Sequence, residues 1–391
     1  MTATAPIVSA RRGPFASLRA LLPSRADYAD VPRTWRGDLL AGLTVGIVAL
    51  PLALGFGISS GLSAEAGLVT AIVAGLIAAV FGGSHVQVSG PTGAMVVVLV
   101  PIVAAHGAGA VMAVSLMAGV IVAVAGVLRL GRAVSFIPWP VIEGFTLGIG
   151  VIIFAQQIPA LVSPHSSGAG DHSSNAVVAA VQSFARLDPI YLLWAIGAVA
   201  VVAACMTLAP RVHRAIPGSL VGIALVTVLS LALPAPLARI GALPSSLPAP
   251  TLPSMDAGTI GSLLAPAVTV AALAAIESLL SARVAATLAD TGPYDPDREL
   301  VGQGLASIGS ALFGGMPATG AIARTAVNVR SGGRSRLAAI VHAGVLLLVV
   351  LAVAGPVGQI PLAALSGVLM VTAVRMVDVE TVRAIVRSTR A

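Results

Sequence analysis

Apolar stretches that approach or exceed bilayer length follow one another along nearly the whole chain, and they leave few folds open. They lie near residues 39–58, 63–82, 89–105, 108–128, 138–160, 190–208, 216–234, 258–282, 300–314, 320–329, 337–354 and 360–376. A helix needs about 20 apolar residues to cross the hydrocarbon core. A soluble domain of 391 residues has no use for such a succession. In lipid every backbone polar group must be bonded internally, so the spans are expected to be helices. The expected class is an all-α polytopic membrane protein. Composition agrees: 57% of residues are hydrophobic and 9% charged, with a mean hydropathy of +1.00. Aromatic content is only 4%, against 42 glycines and 26 prolines. That balance suits helices packed through small residues and broken where they line protein or water.

An isoelectric point near 11.1 would suit a nucleic-acid partner, but the charges follow membrane sidedness instead. All 22 basic residues are arginine. With the N-terminus cytoplasmic, the spans above put nineteen of them inside, only Arg186 and Arg239 outside, and Arg324 within the membrane. The chain is therefore expected in the cell inner (cytoplasmic) membrane as a multi-pass protein, with no nucleic acid bound. Residues 1–37 form a polar, Arg-rich cytoplasmic segment without the apolar core of a signal peptide. Residues 38–376 form the transmembrane domain and 377–391 a cytoplasmic helix. The single cysteine, Cys205 in VVAACMTL, excludes an internal disulfide and a Cys-cluster metal site. No nucleophile–base pair or metal motif is present, so neither an enzyme nor a bound metal or cofactor is expected.

Arg324 lies in GGMPATGAIARTAVNV, residues 314–329. A charge within a membrane segment costs at least ~2.5–3.5 kcal/mol on insertion scales and usually faces a cavity where it has a task. Gly314, Gly315, Pro317 and Gly320 break the helix just before it, and Glu277 is the nearest acidic candidate. The third stretch, SHVQVSGPTGAMVVVLVP, is broken in the same way at Gly90-Pro91-Thr92-Gly93. Both read as an extended approach, a Pro/Thr/Gly break and a helix start, and the topology runs them in opposite directions. Paired broken segments are the best sequence pointer to a transport site. Their N-termini, with unsatisfied N–H groups and about half a positive charge each, are natural anion seats.

The runs DLLAGLTVGIVALPLALGFGISSGL (38–62), VSGPTGAM (88–95), AAIESLLSARVA (274–285) and NVRSGGRSRLAAIVHA (328–343) resemble the SulP family of sulfate, bicarbonate and related anion transporters. The resemblance covers nearly all of residues 27–391. It implies an inverted-repeat fold of seven plus seven segments, with core and gate domains and two half-helices framing the substrate. Transport would then move the core, segments one to four and eight to eleven, against the gate. The family pattern has fourteen segments and usually a cytoplasmic STAS domain. Against it, the second repeat is incomplete and the STAS domain absent, as in a shortened chain or one completed by a partner.

The resemblance also implies roles. Backbone N–H groups of Thr92, Gly93, Gly320 and Ala321 would bind the anion, Arg324 would supply positive potential, and Ala53, Leu54 and Phe56 would close the pocket. Sodium-coupled bicarbonate members carry Asp and Thr where this chain has Glu277 and Ser281, and Thr where it has Ile322. Ile322 offers no side-chain oxygen, so sodium is the weaker expectation. A lone buried glutamate can carry a proton instead, and Glu277 with Ser281 becomes the coupling pair. Its bland alternative is a counter-charge to Arg324. The expected partners are a small inorganic or organic anion, a proton and the lipid bilayer. A homodimer is among the open assemblies. A nucleobase permease of the same fold and an uncoupled exchanger or channel stay open as alternatives.

Other polar residues carry structural expectations. Asp38 is expected to cap the first span and Glu65 to sit in the first turn of the second. Glu143 lies a turn inside the fifth stretch, within reach of headgroups or Arg132. Gln156 and Gln157 would line the gate or bond between helices. His165 and His172 fall in the largest external loop, and residues 289–299 in a solvated cytoplasmic loop.

Overall fold

Proline-aspartate punctuation starts several of the helices. The computed structural model describes residues 21–132, 139–163, 175–213, 216–253, 257–288, 292 and 294–376. A 3₁₀ turn, Arg25–Tyr28, precedes α1 (Val31–Ser59), α2 (Ala64–Phe81), β1 (Ser89–Gly90), α3 (Gly93–His106) and α4 (Ala110–Val127). Next come α5 (Trp139–Val162), α6 (Ala176–Ser183), α7 (Pro189–Val212), α8 (Gly218–Ala232) and α9 (Ala257–Leu288). The order closes with α10 (Pro296–Leu312), β2 (Thr319–Gly320), α11 (Ile322–Arg330), α12 (Arg336–Gly358) and α13 (Leu362–Met376). Asp188 and Asp295 each accept two first-turn N–H groups, and a proline follows each as the first helical residue. Among the described residues, α1, α2, α4, α7, α9 and α12 are long and apolar enough to cross a membrane, while α3, α8 and α13 are shorter apolar helices. The short α6, capped by Asn175, was not expected. The histidines at 165 and 172 and the C-terminal segment 377–391 lie outside the described residues.

The broadest helix pairings fall in two groups. In one, α4 packs on α9 and α10, α10 on α2, and α12 on α1; in the other, α13 packs on α5 and α7, and α7 on α8. Contact between α4 and α10 depends on bare backbone: a Cβ at Gly119 would stand 2.7 Å from the Gly304 carbonyl oxygen. Midway along α2 the ladder widens into a π turn, Thr70–Ala74. There the Thr70 hydroxyl donates to Ala66 O at 2.7 Å and accepts the Met316 N–H at 2.8 Å. The approach to β2 is thus fastened to the one irregular turn of α2, a kind of distortion found often beside functional sites. The apolar pattern of residues 63–82 does not reveal it.

Two expectations about charged residues are corrected. α1 begins at Val31, so Asp38 sits in its second turn and cannot cap it. Asp38 instead accepts the Arg334 N–H at 2.7 Å, the Ser335 N–H at 3.0 Å and the Ser335 hydroxyl at 2.6 Å, capping α12 from outside. From Pro296 on, the stretch 289–299 is not a solvated loop either but the start of α10. Glu299 is 1% exposed in α10. It accepts from Gly83 N at 2.8 Å, Ser84 N at 3.2 Å, Gln87 Nε2 at 2.9 Å and Gln303 Nε2 at 3.1 Å. Four donors satisfy a buried carboxylate that would otherwise be very costly.

Arg298 and Arg336 stand in the first turns of α10 and α12, where the helix dipole disfavours a cation. Asp27 answers both: it receives Arg298 Nη1 at 2.8 Å and Nη2 at 3.0 Å, with Arg336 Nη2 at 3.7 Å. Burial opposes the Asp27 charge, but Arg298, the Ser24 N–H and Arg336 outweigh it and hold the carboxyl well below the usual range. A depressed folded-state pKa stabilises the fold fully above about pH 4, the unfolded value, and the gain is lost as pH falls below that. Asp27→Asn is expected to destabilise the detergent-solubilised protein at neutral pH by on the order of 3 kcal/mol. Thermal unfolding should show that deficit shrinking as pH is lowered from about 6 towards 3; a deficit constant with pH would refute the assignment.

Candidate functional site

Each half of the site begins with a two-residue strand that runs into a helix. β1 and β2 pair antiparallel, with Ser89 opposite Gly320 and Gly90 opposite Thr319. The strands are so short that α3 and α11 start close together and leave in opposite directions. Each start leaves N–H groups without intrahelical partners.

Three elements converge on Glu277 of α9. Its Oε2 accepts the Thr92 hydroxyl at 2.9 Å and the Thr319 hydroxyl at 2.8 Å, and the two threonine oxygens are 3.1 Å apart. Thr92 occupies the N-cap position of α3, yet its side chain caps nothing there because it is turned to Glu277. Arg324, 2% exposed, reaches from α11 to the other side of the same turn, where its Nη2 donates to Pro91 O at 2.7 Å. Glu277 and Arg324 therefore form no direct ion pair, although the counter-charge expected from sequence needs none. Each grips a neighbouring residue of the Pro91-Thr92 turn, and their charges act across it. Arg324 is also not alone: Arg298 and Arg336 are buried too.

The structure redistributes the other expected site residues. Gly320 N–H donates to Ser278 Oγ at 3.1 Å and Ala321 N–H to Val88 O at 2.9 Å, so neither is free for an anion in this conformation. Among the described residues no acceptor meets the N–H of Thr92 or Gly93. Phe56 adjoins Gly93, its Cε1 3.5 Å from where a Cβ there would stand. Ala53 and Leu54 do not join it; both are fully buried in a separate apolar cluster with Tyr191, Val202 and Leu365. For Leu54, two residues from Phe56, helical spacing of about 100° per residue gives the reason, since it turns Leu54 to the opposite side of α1. Ala53, three residues away, shares the side of Phe56 but is packed in the other cluster. Ser281 lies 3.4 Å from Thr325 Oγ1, itself the acceptor of Val88 N–H at 3.1 Å, and touches β2 rather than Glu277. Gln157 bonds to Ser59 Oγ at 3.2 Å, a helix–helix contact.

Thr319 and Ser278 are functional candidates that the sequence reading passed over. A signal existed for Thr319: a Thr-Gly pair stands just after a proline in both broken segments, at 92–93 and 319–320. Ser278 had none, because only the fold brings it to Gly320.

Gly90 sits at φ +151°, and a Cβ there would stand 2.8 Å from Arg324 Nη1 and 3.3 Å from Ala71 Cα. Gly90→Ala is expected to cost on the order of 1–3 kcal/mol. In a double-mutant cycle the cost should be smaller in an Arg324→Ala background. Equal costs in both backgrounds, by thermal unfolding in detergent, would rule out the clash with the guanidinium.

Residues 35–391 match the model of the sulfate permease family. YvdB of Bacillus subtilis, provisionally named a sulfate transporter, is 36% identical over 355 residues, covering 90% of this chain and 66% of its own. The bicarbonate transporter BicA of Picosynechococcus is 36% identical over 363 residues, covering 88% of this chain and 62% of its own. This chain thus spans about two thirds of the length of these relatives. The solved transmembrane domain of a cyanobacterial bicarbonate transporter BicA superposes with a TM-score of 0.79 at 35% identity, covering 88% of this chain and 89% of that one. Murine Slc26a9, at 17% identity and a TM-score of 0.79 over 96% of this chain and 66% of its own, shares the fold. With all-helical transporters as its structural neighbours and a family match over nearly its whole length, the chain belongs to the sulfate permease family.

Proposed function

We propose that this chain carries the substrate site and the coupling group of a secondary active transporter. It moves a small anion (sulfate, bicarbonate or a dicarboxylate) together with a proton across the cytoplasmic membrane, with its N-terminus on the cytoplasmic side. The observation that carries this reading is the meeting of two helix N-termini at β1–β2, with Arg324 on one side of the Pro91-Thr92 turn and Glu277 on the other. Positive potential from two helix dipoles and a guanidinium favours an anion. The N–H groups of Thr92 and Gly93, with the first-turn amides of α11, are its donors, and Phe56 limits its size. Backbone donors read charge and size, which suits both substrate names borne by the relatives, sulfate and bicarbonate. Proton coupling falls to Glu277, the carboxylate that the site itself contains. Ile322 brings no side-chain oxygen for a sodium ion.

The two packing groups support a reading of alternating access. The group of α1, α2, α4, α9, α10 and α12, with the half-helices α3 and α11 that frame the site, acts as the core, and α3 also packs on α5; α5, α7, α8 and α13 act as the gate. A nucleobase permease would keep its carboxylate for the base, whereas Glu277 is engaged by two threonines.

Uptake into proteoliposomes tests the reading directly. An inward proton gradient should drive accumulation of sulfate or bicarbonate, and Glu277→Gln should reduce it at least about tenfold. Uptake indifferent to both the gradient and Glu277 would replace symport by uniport or exchange.

A further inference from the structure

Two hydroxyl groups share one carboxylate oxygen at the centre of the site, and hydrogen counting there has a consequence. The contacts close a triangle: Glu277 Oε2 to Thr319 Oγ1 at 2.8 Å, Thr319 Oγ1 to Thr92 Oγ1 at 3.1 Å, and Thr92 Oγ1 back to Oε2 at 2.9 Å. A threonine hydroxyl has one hydrogen and two acceptor lone pairs. With Glu277 ionised, both hydroxyl hydrogens point at Oε2, and every hydrogen is used. With a proton on Oε2, three hydrogens circulate: Oε2–H donates to Thr319, Thr319 to Thr92, and Thr92 back to Oε2. The proton adds to one oxygen and leaves from the same oxygen, the Thr319 hydroxyl turns its hydrogen from Oε2 to Thr92, and no other covalent bond is made or broken. Both protonation states are fully bonded with the heavy atoms in place.

We propose that Thr319 is a positioning residue which, together with Thr92, lets Glu277 gain and lose its proton without moving. The inference rests on the reading of Glu277 as the proton-carrying group. Thr92 directly precedes Gly93 at the start of α3, and Thr319 precedes Gly320 on the approach to α11. The triangle therefore pins both half-helix starts to the carboxylate. Protonation removes one negative charge from beside two helix N-termini and Arg324, leaving their positive potential for a substrate anion. Deprotonation restores an internal competitor. Among the elements packed on α9, Arg324 of α11 is the charged group whose field reaches Glu277. α4 and β2 carry no ionisable residue, His106 stands at the far end of α3, and Asp297, Arg298 and Glu299 at the start of α10 are engaged by Gly131, Asp27 and Gly83.

The test uses the whole chain and two readouts. Infrared titration follows the Glu277 carboxyl band, identified by its loss in Glu277→Gln, and needs no transport. Proteoliposome uptake gives the pH profile. Thr319→Val keeps the shape and removes the hydroxyl; Thr319→Ala takes its place if the valine variant unfolds; Thr319→Ser restores the hydroxyl. The midpoint of the band should be displaced by about one to two pH units in Thr319→Val, the worth of one hydrogen bond to a charged group. It should return to the wild-type value in Thr319→Ser. An unmoved midpoint in the folded valine or alanine variant overturns the proposal, as does a wild-type band that does not titrate. If wild-type uptake ignores the proton gradient while Thr319→Val still displaces the band, the triangle stands and the symport reading falls. Gradient-driven uptake with an unmoved band has the opposite meaning.

Discussion

Four residues in β1 and β2 organise the interior of this membrane protein. Extended backbone is very costly in hydrocarbon unless its N–H and C=O groups find partners inside the protein. Here the partners come from the other broken segment and from the helices around it. The Ala321 N–H goes to Val88, the Val88 N–H to Thr325, the Gly320 N–H to Ser278 and the Asn328 side chain to Val86 O. Break the pairing and two helix starts lose their position together. The π turn of α2 adds a further tie on the approach to β2, through the Thr70 hydroxyl to the Met316 N–H.

Buried charges obey the same economy. Glu299 takes four donors, Asp38 caps a helix across the bundle, and Asp27 neutralises two arginines at helix N-termini. Each of these carboxylates is tied to a fixed set of donors. Asp38 and Asp27 also take hydroxyls, but beside backbone or guanidinium donors that cannot reverse. Glu277 differs because, among the described residues, its hydrogen-bond partners are hydroxyls alone, which can reverse the direction of a hydrogen bond. That difference separates carboxylates that serve architecture from the one we propose to exchange a proton.

Much of the architecture was legible from local pattern. Span positions follow from apolar length, and each of the twelve expected stretches contains a helix. The two broken segments announced themselves through Gly90-Pro91-Thr92-Gly93 and Pro317-Ala318-Thr319-Gly320, and Arg324 through its charge. Roles that depend on facing were less accessible. Asp38 looked like a cap for its own helix because sequence shows an acid at the start of an apolar run, whereas α1 starts seven residues earlier and Asp38 reaches α12. Ala53 and Leu54 shared a stretch with Phe56, but only Phe56 adjoins Gly93.

The sequence by itself determined the solvent in which this chain folds, the positions of its spans and the two places where helices must break. Those properties are set by apolar length and by Gly and Pro, which act locally. Tertiary structure alone decided which donors each buried charge receives. Glu277 meets Thr92 across 185 positions and Asp38 meets Arg334 across 296. Contacts at such separations are fixed by helix packing and strand register, and no local pattern of residues encodes them. For that reason Arg324 grips Pro91 rather than Glu277, and the carboxylate is left to the two threonines.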